Sequence, residues 1–285
     1  MQTLREIKQR IKGVTNIQQI TRAMEMVAGT KLKRAQLRTE SARPYAEGIG
    51  ELLKGLLGSM SQPSHPLFCE REIHHIGIGV ITSEKGLCGP YNSLIIRNVF
   101  ESLADYSLDQ IKFILLGRKG FLHLQRRGYH IEKYYPGGIE TFGYPQIGLI
   151  TRDMIAGYEA GVYDAVELFY TRLETVMVSQ PGRMRLLPIE REELRPNGER
   201  EYILEPSADV LLAELIPRYL EARVHQAVLE SYAAELAARR LAMKAATDNA
   251  EEMIEELTRS YNKARQESIT KEILEVVSGA EALRG

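Results

Sequence analysis

The sequence predicts an α/β protein, with a central Rossmann-like α/β domain joined to a long antiparallel coiled coil of the N- and C-terminal helices. Two observations support this fold class. Apolar residues recur every three or four positions over both ends of the chain, which is the spacing of amphipathic helices. The middle of the chain alternates short apolar runs with helical patterns, which is typical of βαβ units. We therefore expect three domains, at residues 1–58, 70–205 and 207–285.

The N-terminal segment begins with a capping box, in which Thr3 can cap the helix and Glu6 stands three residues later. Its apolar positions are Leu4, Ile7, Ile11, Val14, Ile17, Ile20, Met24, Val27 and Leu32. Two successive spacings of three, from Val14 to Ile17 to Ile20, predict a seam that precesses around the helix and is not a strict heptad repeat. Pro44 lacks a backbone N–H, so we expect it to kink or interrupt the helix.

The C-terminal segment starts at Ser207, a helix cap, with Asp209 in the first turn. From Pro217 onward the pattern continues for about 67 residues, which would span roughly 100 Å as a helix. A helix of this length cannot be one layer of a compact domain. Paired with the shorter N-terminal helix, it should overhang its partner by about 20 residues, or about 30 Å.

The end of this helix has an unusually wide apolar surface. At 100° per residue its apolar side chains spread over roughly half of the circumference, whereas a single partner helix covers a narrow stripe. These residues are Ile269, Ile273, Leu274, Val276, Val277, Ala280 and Leu283. The sequence therefore predicts that something other than one helix buries them.

Charge favours pairing of the two ends. Residues 1–38 carry nine Lys or Arg against two Glu, a net +7, while residues 207–285 carry ten basic and fourteen acidic residues, a net −4. Opposite charges on neighbouring helices attract, although each surface pair is individually weak.

The central segment has the pattern of a small sheet with right-handed crossover connections. Strands are expected at residues 74–82, 111–117, 164–173 and 175–189, and helices at residues 92–106, 118–128 and 151–161.

Composition excludes several classes of protein. The net charge of −1 gives no general signal for binding polyanions. Cys69 and Cys88 are too few for a disulfide framework and lack zinc spacing, which favours a reducing compartment. The longest apolar runs, such as residues 76–81, are far too short to span a bilayer. The N-terminus has no apolar region typical of a secretory signal.

One loop could carry chemistry. Residues 81–93, ITSEKGLCGPYNS, follow a strand and open a helix, where phosphate-binding loops are found. The loop lacks the Walker pattern, and Gly77-x-Gly79 lies inside the strand, so an ordinary turn or a protein contact is favoured over a nucleotide site. The histidines show no metal-ligand spacing. We expect no catalytic residue, no metal and no cofactor in this chain.

Both ends of the chain and this loop resemble the γ subunit of the F-type ATP synthase. The N-terminal match is ITRAMEMVAGTKLKRAQ, residues 20–36, and the C-terminal match covers residues 243–283. The characteristic C-terminal spacing is carried by Ile269, Thr270, Glu272, Glu275, Gly279 and Ala280. In the loop, Glu84-Lys85 stands where the family usually has Asp-Arg. The resemblance covers essentially the whole chain.

The resemblance implies a non-catalytic subunit of an enzyme complex. It would be the central rotor shaft of a proton-translocating ATP synthase, coupling rotation of the c-subunit ring to conformational change at the catalytic β subunits. Its partners would be three α and three β subunits, the ε subunit and the membrane c ring, with no nucleic acid and no direct bilayer insertion. The location would be peripheral, on the cytoplasmic side of a bacterial cell membrane.

The resemblance also implies roles for individual residues. Arg265 and Gln266 would hydrogen-bond a loop of one β subunit, with Thr270 and Glu275 nearby. Residues that would lie near an acidic lever segment of β are Arg22, Met24, Lys31 and Lys33. Residues of the tip that would sit in an apolar sleeve formed by the α and β subunits include Ile273, Val276, Val277 and Leu283.

Two other classes of protein make different predictions. An α/β enzyme with a coiled-coil arm would have a ligand pocket at the carboxyl edge of the sheet, near residues 86–92. A nucleic-acid-binding coiled coil would use the basic residues at 31–38, although no aromatic residues interleave with them.

Overall fold

A computed structural model describes residues 3–60, 65–104, 106–175, 178–190, 194 and 204–282, with side chains described as far as residue 280. The chain divides into two compact units. Unit 1 comprises Met1–Ala28 and Arg240–Gly285, and unit 2 comprises Gly29–Arg239. In the described part of the chain, no helix contains a stretch apolar enough to cross a bilayer.

The first and last helices are long, and shorter elements lie between them. In chain order these elements are α1 (Leu4–Ser59), β1 (Ile76–Ile81), α2 (Tyr91–Ser102), β2 (Ile111–Leu116), α3 (Arg118–Gln125), β3 (Ile131–Tyr135), α4 (Tyr144–Glu159), β4 (Ala165–Leu173), β5 (Ser179–Leu187) and α5 (Ala208–Ala282).

Unit 2 contains a five-stranded sheet in the order β3-β2-β1-β4-β5. The first four strands are parallel, and β5 runs antiparallel to β4. The expected α/β sheet is therefore confirmed. Sequence reasoning missed β3, a short and only half-buried strand whose pattern is interrupted by charged residues. The observed α4 also begins earlier than predicted, at Tyr144, with Pro145 in its first turn, where a proline is compatible with a helix.

Apolar side chains cover both faces of this sheet. One face packs against α2 and α3 through a cluster that includes Ile95, Val99 and Leu124. The other face packs against α4 and against the parts of α1 and α5 that belong to unit 2. β1 and β2 are buried on both faces, which explains why they read as nearly continuous apolar runs in the sequence.

The two glycines of β1 have a packing role. A Cβ added at Gly79 would lie 2.8 Å from a methyl group of Leu168, and one added at Gly77 would lie 3.1 Å from the ring of Tyr163. The Gly-x-Gly pattern inside this strand therefore allows close packing.

In unit 2, α1 and α5 run antiparallel. A Cβ added to Gly50 of α1 would lie 3.8 Å from the ring of Tyr219 of α5. Lys31, which comes earlier in α1, acts electrostatically on Glu235, which comes later in α5, so the two helices run in opposite directions. The expected interruption at Pro44 is wrong, because α1 is continuous through it. Burial of Ile49 and Leu53 beyond the proline holds this part of the helix against the core, which offsets the lost backbone hydrogen bond.

In unit 1, α1 and α5 form a coiled-coil seam with a strict seven-residue repeat. Thr21 Oγ1 lies 2.8 Å from Thr247 Oγ1, which sets the register between the helices. The buried or half-buried positions of α1 are Leu4, Ile7, Ile11, Val14, Gln18, Thr21, Glu25 and Ala28, joined by Thr15 and Met24 at its margin. Those of α5 that repeat in the same way are Met243, Thr247, Ala250, Ile254, Leu257, Tyr261, Ala264 and Ser268.

The precessing seam predicted for α1 is therefore wrong. Ile17 and Ile20, which defined it, are 54% and 59% exposed. Polar residues at positions 18, 21 and 25 occupy seam positions instead, and a search for apolar residues alone overlooks them. A polar residue in such a seam helps to fix the register of the two helices.

In unit 1, α5 overhangs α1 as expected, but the described overhang is shorter than the predicted 30 Å. Counting outward from the Thr21–Thr247 pair, the first turn of α1 lies opposite Ala264, and Ser268 is the last partly buried residue of α5. The helix continues to Ala282, so its unpaired part has a length of about 21 Å.

Asp164 fixes the start of β4 to the segment before β1. Its Oδ2 accepts the backbone N–H groups of His74 and His75 at 2.9 and 2.8 Å, and its own N–H donates to His75 O at 2.8 Å. Burial acts to raise the pKa of Asp164, but the two N–H donors outweigh it and hold the pKa below its usual value. The carboxylate therefore contributes stability above the unfolded pKa of about 3.9, and this contribution is lost as the pH falls through the lower folded pKa.

We predict that Asp164→Asn lowers the free energy of unfolding by about 1 kcal/mol at pH 7, since a charge-assisted contact of a partly exposed group is lost. Urea unfolding of the full chain, followed by tyrosine fluorescence between pH 7 and pH 3, measures this difference. It should shrink as the pH falls below about 4. Asp109→Asn, at an exposed position, is the matched control and should change little. A difference that stays constant with pH would contradict the assignment.

Candidate partner-binding surfaces

The unpaired end of α5, residues 269–282, is called the tip. Among the described residues of unit 1, nothing covers its apolar side chains: Ile269, Ile273, Leu274, Val276 and Val277 are 44%, 58%, 60%, 72% and 51% exposed. Leu283, also predicted to belong to this surface, lies outside the described residues. Large apolar side chains clustered at one exposed place mark a surface that binds another molecule.

The apolar face of the tip is not a continuation of the coiled-coil seam. The next positions of the seven-residue repeat after Ser268 are Lys271, Glu275 and Ser278, which are all polar and exposed. At 100° per residue, the apolar face of the tip lies roughly 150° around the helix from the seam. A helix packed on the seam as α1 is therefore cannot bury the tip, and a molecule that covered the apolar face would have to approach from the opposite side.

Polar residues predicted to grip a partner lie just before and on the tip. Arg265, Gln266, Thr270 and Glu275 are all exposed. Thr270 Oγ1 donates within the helix to Gln266 O at 2.9 Å, and Glu275 lies 3.8 Å from Lys271 Nζ, a solvent-exposed pair of little energetic weight. Arg265 makes no ion pair with any described residue, so its five N–H donors face solvent.

The predicted positions of α1 fall in both units. In unit 1, Arg22 is exposed and Met24 is half-buried. In unit 2, Lys31 and Lys33 are exposed. The positive charge of Lys31 also acts on the buried Glu235, so it has a role inside unit 2 as well.

The loop between β1 and α2 closes on its own side chains. Asn92 Oδ1 accepts the Ser83 N–H at 3.0 Å, and Asn92 Nδ2 donates to Ser83 Oγ at 2.7 Å. At the neighbouring helix α3, the Glu84 carboxylate accepts the Arg118 N–H at 3.1 Å. The chain's own polar groups thus occupy donors that a phosphate would need, which disfavours the enzyme alternative.

The same loop presents an exposed leucine in an unusual conformation. Leu87 has a φ of 64°, in the left-handed region, and is 62% exposed. The left-handed backbone conformation is energetically costly for a bulky residue such as leucine, whereas glycine adopts it readily. The sequence does not predict a left-handed conformation at Leu87, because the neighbouring glycines of GLCG could adopt it at a lower energetic cost.

Sequence reasoning also missed the ion pair that fixes this loop to α5. Arg239 Nη2 lies 2.6 Å from Glu235 Oε1 and donates to the carbonyl oxygens of Lys85 and Gly86 at 3.3 and 3.2 Å. Glu235 is almost fully buried, and burial raises its pKa while Arg239 opposes the rise. The only signal in the sequence was a Glu and an Arg four residues apart within an alanine-rich stretch.

The described residues hold no group of three or more His, Cys, Asp or Glu side chains arranged to bind a metal ion. Cys88 is buried and Cys69 is exposed, and neither forms a disulfide. The tip is the feature of the described residues that points most clearly to a function, as a surface for another macromolecule.

These features define a class of protein: a coiled-coil helix that ends in an exposed apolar surface, which another molecule could bury, together with an α/β sheet in the other unit. A protein-family model described as ATP synthase matches residues 3–283. The ATP synthase gamma chain of Desulfitobacterium hafniense is 42% identical over 283 residues, covering 99% of this chain and all of the relative. That of Heliobacterium modesticaldum is 41% identical over 291 residues, with the same coverage.

Solved structures give the same result. The central stalk and c-ring structure of the mitochondrial ATP synthase of Tetrahymena thermophila contains a chain that is 26% identical, with a TM-score of 0.61, covering 80% of this chain and 99% of that one. A chain in the Euglena gracilis mitochondrial ATP synthase, with a TM-score of 0.70 and 16% identity over 98% of this chain and 94% of that one, supports the fold alone.

The chain therefore belongs to the ATP synthase gamma-chain family. The resemblance drawn from the sequence and the predicted fold class are both confirmed. A gamma chain is the central stalk of an F-type ATP synthase, which is the function that the resemblance implied.

The Glu235–Arg239 pair yields a stability prediction. Arg239→Met leaves a buried carboxylate without its partner, so we expect the free energy of unfolding to fall by about 3 kcal/mol and hydrogen exchange to rise at residues 83–90. The double variant Glu235→Gln/Arg239→Met removes both charges and should lose less than half as much.

Arg240→Met is the matched control, because Arg240 is the exposed neighbour. Urea unfolding and hydrogen exchange of the full chain measure both effects. A double variant as unstable as Arg239→Met alone would show that the unpaired carboxylate is not the cause.

Proposed function

We propose that the chain is the rotor shaft of a proton-translocating ATP synthase and that it couples rotation of a membrane c-subunit ring to conformational change at the catalytic β subunits. The observation that carries this proposal is the tip, whose apolar face has no partner among the described residues of unit 1 and points away from the coiled-coil seam. Membership of the gamma-chain family supplies the class of partner.

The tip would be buried in a sleeve formed by three α and three β subunits. A sleeve suits this surface because its apolar residues spread over roughly half of the circumference, more than one helix can cover. Contacts between aliphatic side chains are non-directional, so burial can be kept at every rotational angle without a hydrogen bond that selects one of them.

Transmission of torque requires the opposite kind of contact. Arg265, Gln266, Thr270 and Glu275 form a polar band at the base of the tip, where a β-subunit loop could hydrogen-bond the shaft. Arg265 suits this role because its guanidinium is exposed and pairs with no described residue. Such directional contacts make the energy of the complex depend on the angle of the shaft.

A second contact would involve α1 and an acidic lever segment of the β subunits. Arg22, Lys31 and Lys33 are exposed and positively charged, and Met24 adds an apolar contact. Lys33 and Arg22 are the more available cations, because the charge of Lys31 is shared with Glu235.

The central domain, residues 70–205, would act as the foot that binds the ε subunit and the c ring, with residues 1–58 and 207–285 as the shaft. The complex would lie at the cytoplasmic side of a bacterial cell membrane, with this chain peripheral. Rotation would change which β subunit faces which side of the asymmetric shaft. Each catalytic site would thereby shift its population among conformations of different nucleotide affinity.

The tip yields the first functional prediction. Val276→Asp places a charge where the sleeve offers no partner, so the yield of assembled complex should fall at least about fivefold. Co-purification with the α and β subunits, normalised to total chain, measures the yield. Ser278→Asp introduces the same charge on the opposite face of the tip and should assemble nearly as well as the wild type. Equal yields of the two variants would argue against a buried apolar face.

The polar band yields the second functional prediction. Arg265→Ala should lower the rate of ATP synthesis per assembled complex by about tenfold, since a hydrogen bond to a charged group contributes about 1.5–3 kcal/mol, while the tip still holds the complex together. Arg265→Lys should restore only part of the rate, because a point charge cannot reproduce the planar fork.

The matched control for this experiment is Arg259→Ala. Arg259 lies six residues earlier and is 80% exposed, in a weak pair with Glu255 at 3.3 Å. Membrane vesicles that carry each variant are assayed for ATP synthesis. If Arg259→Ala and Arg265→Ala behave alike, the grip lies elsewhere on the shaft.

A further inference from the structure

The short helix α3 of unit 2 exposes positive charge and no negative charge. The helix and the residues that follow it read RKGFLHLQRRG, residues 118–128, a stretch without an acidic residue. Gly120 and Leu124 of this helix are buried. Its exposed cations are two residues at its start and two just after its last residue, namely Arg118, Lys119, Arg126 and Arg127. These four residues are called the basic surface of α3.

Little of this charge is neutralised by the rest of the described chain. None of the four cations forms an ion pair with a residue that the structure describes. The Glu84 carboxylate, near the start of the helix, accepts the backbone N–H of Arg118 at 3.1 Å. Glu132, on the neighbouring strand β3, lies 3.2 Å from His130. Four cations set against the carboxylate of Glu84 leave a surface that is positive overall.

Two of the cations stand at the unfavourable end of the helix. The first turn of an α-helix carries a positive partial charge, so it repels the side chains of Arg118 and Lys119. Glu84 offsets only part of this repulsion, and the backbone N–H groups of residues 118–120 are already bonded to the loop after β1. Helix stability explains Arg126 and Arg127, which follow the negative end. It does not explain the first two cations, which points to a role outside the chain.

The surroundings of these cations favour an acidic protein over a membrane as the partner. Among the described residues of α3, no large apolar side chain is exposed, whereas a helix that lies on a bilayer needs an exposed apolar face. Three of the four cations are arginines, whose planar forks match carboxylate oxygens two at a time. The guanidinium of Arg127 lies 5.9 Å from the ring centre of Phe100, a neutral contact that orients the fork without cancelling its charge.

We infer that the basic surface of α3 binds an acidic helix of a partner protein, whose carboxylates lie two turns apart. The cations at the two ends of α3 are eight residues apart, which corresponds to about 12 Å along the helix axis. Carboxylates seven or eight residues apart on a partner helix have about the same spacing. The surface belongs to unit 2 and shares no residue with the tip or the polar band, so the inference goes beyond the proposed coupling function and does not rest on it.

The test needs a signal that is local to α3, because α1 is also basic. A fluorophore is attached to the full-length chain through Gln125→Cys, an exposed position of α3, in a Cys69→Ser background that removes the other exposed thiol. The probe is an alanine-based helical peptide that carries two pairs of glutamates eight residues apart. Its addition should change the fluorescence in a saturable way, and the affinity should fall when NaCl is raised from about 50 to about 300 mM.

Two double variants remove one cation from each end of the surface. Arg118→Gln/Arg126→Gln and Lys119→Gln/Arg127→Gln should each weaken binding of the peptide by about tenfold, as expected for loss of two exposed ion pairs. If one of them does not fold, the other decides. The matched control is Arg5→Gln/Arg10→Gln, which removes two exposed charges from α1 and should leave the affinity unchanged. A peptide with its glutamate pairs only four residues apart should bind about threefold more weakly.

Four results would overturn the inference. The first is the absence of a saturable change at the label. The second is equal weakening by the α1 control and the α3 variants, which would mean that the peptide binds any basic surface of the chain. The third is equal affinity for the two peptides, because the spacing of the carboxylates would then not be recognised. The fourth is tighter binding of phosphatidylglycerol vesicles or of a short DNA duplex than of the peptide, because the surface would then recognise phosphates.

Discussion

A residue on a helix is buried only where another element packs against it, and in unit 1 this constraint decides which residues of α5 stay exposed. The helix α1 begins at Leu4, and the seven-residue repeat of α5 loses its partly buried positions after Ser268. Beyond Ser268 the apolar residues of α5 lie on a different side of the helix, roughly 150° around its axis from the seam at 100° per residue. One element thus carries two apolar faces, one that α1 covers and one that no described residue of unit 1 covers.

The seam itself combines apolar contact with polar residues. The Thr21–Thr247 contact lies at a position where two aliphatic side chains would pack more favourably. Polar residues in a coiled coil lower stability but restrict the register. In a proposed shaft, register matters because a shift of one turn along α5 would displace Arg265 and the tip by about 5.4 Å relative to α1.

In unit 2, buried carboxylates organise the surroundings of α5 and the β4–β5 hairpin. Glu235 holds Arg239, which in turn fixes the loop after β1, and Glu167 of β4 holds Arg183 and Arg185 of β5. In each case a carboxylate removed from water requires a cation, and the remaining donors of that cation become fixed in space. Asp164 does the same with backbone N–H groups. These contacts position polar groups that would otherwise sample many rotamers.

The sequence by itself determined the helices at both ends, the central α/β sheet and the wide apolar surface of the tip, because these depend on local periodicity and on the order of elements. The family resemblance followed from the same residues. Only the tertiary structure decided the seam of α1, since Gln18, Thr21 and Glu25 become seam residues through their partner and not through their own polarity. It also decided that α1 continues through Pro44, where burial of Ile49 and Leu53 outweighs the local preference. The contacts of Arg239 with the loop after β1 and of Glu167 with Arg183 join residues that are 154 and 16 positions apart, and no pattern within one segment of sequence specifies such contacts.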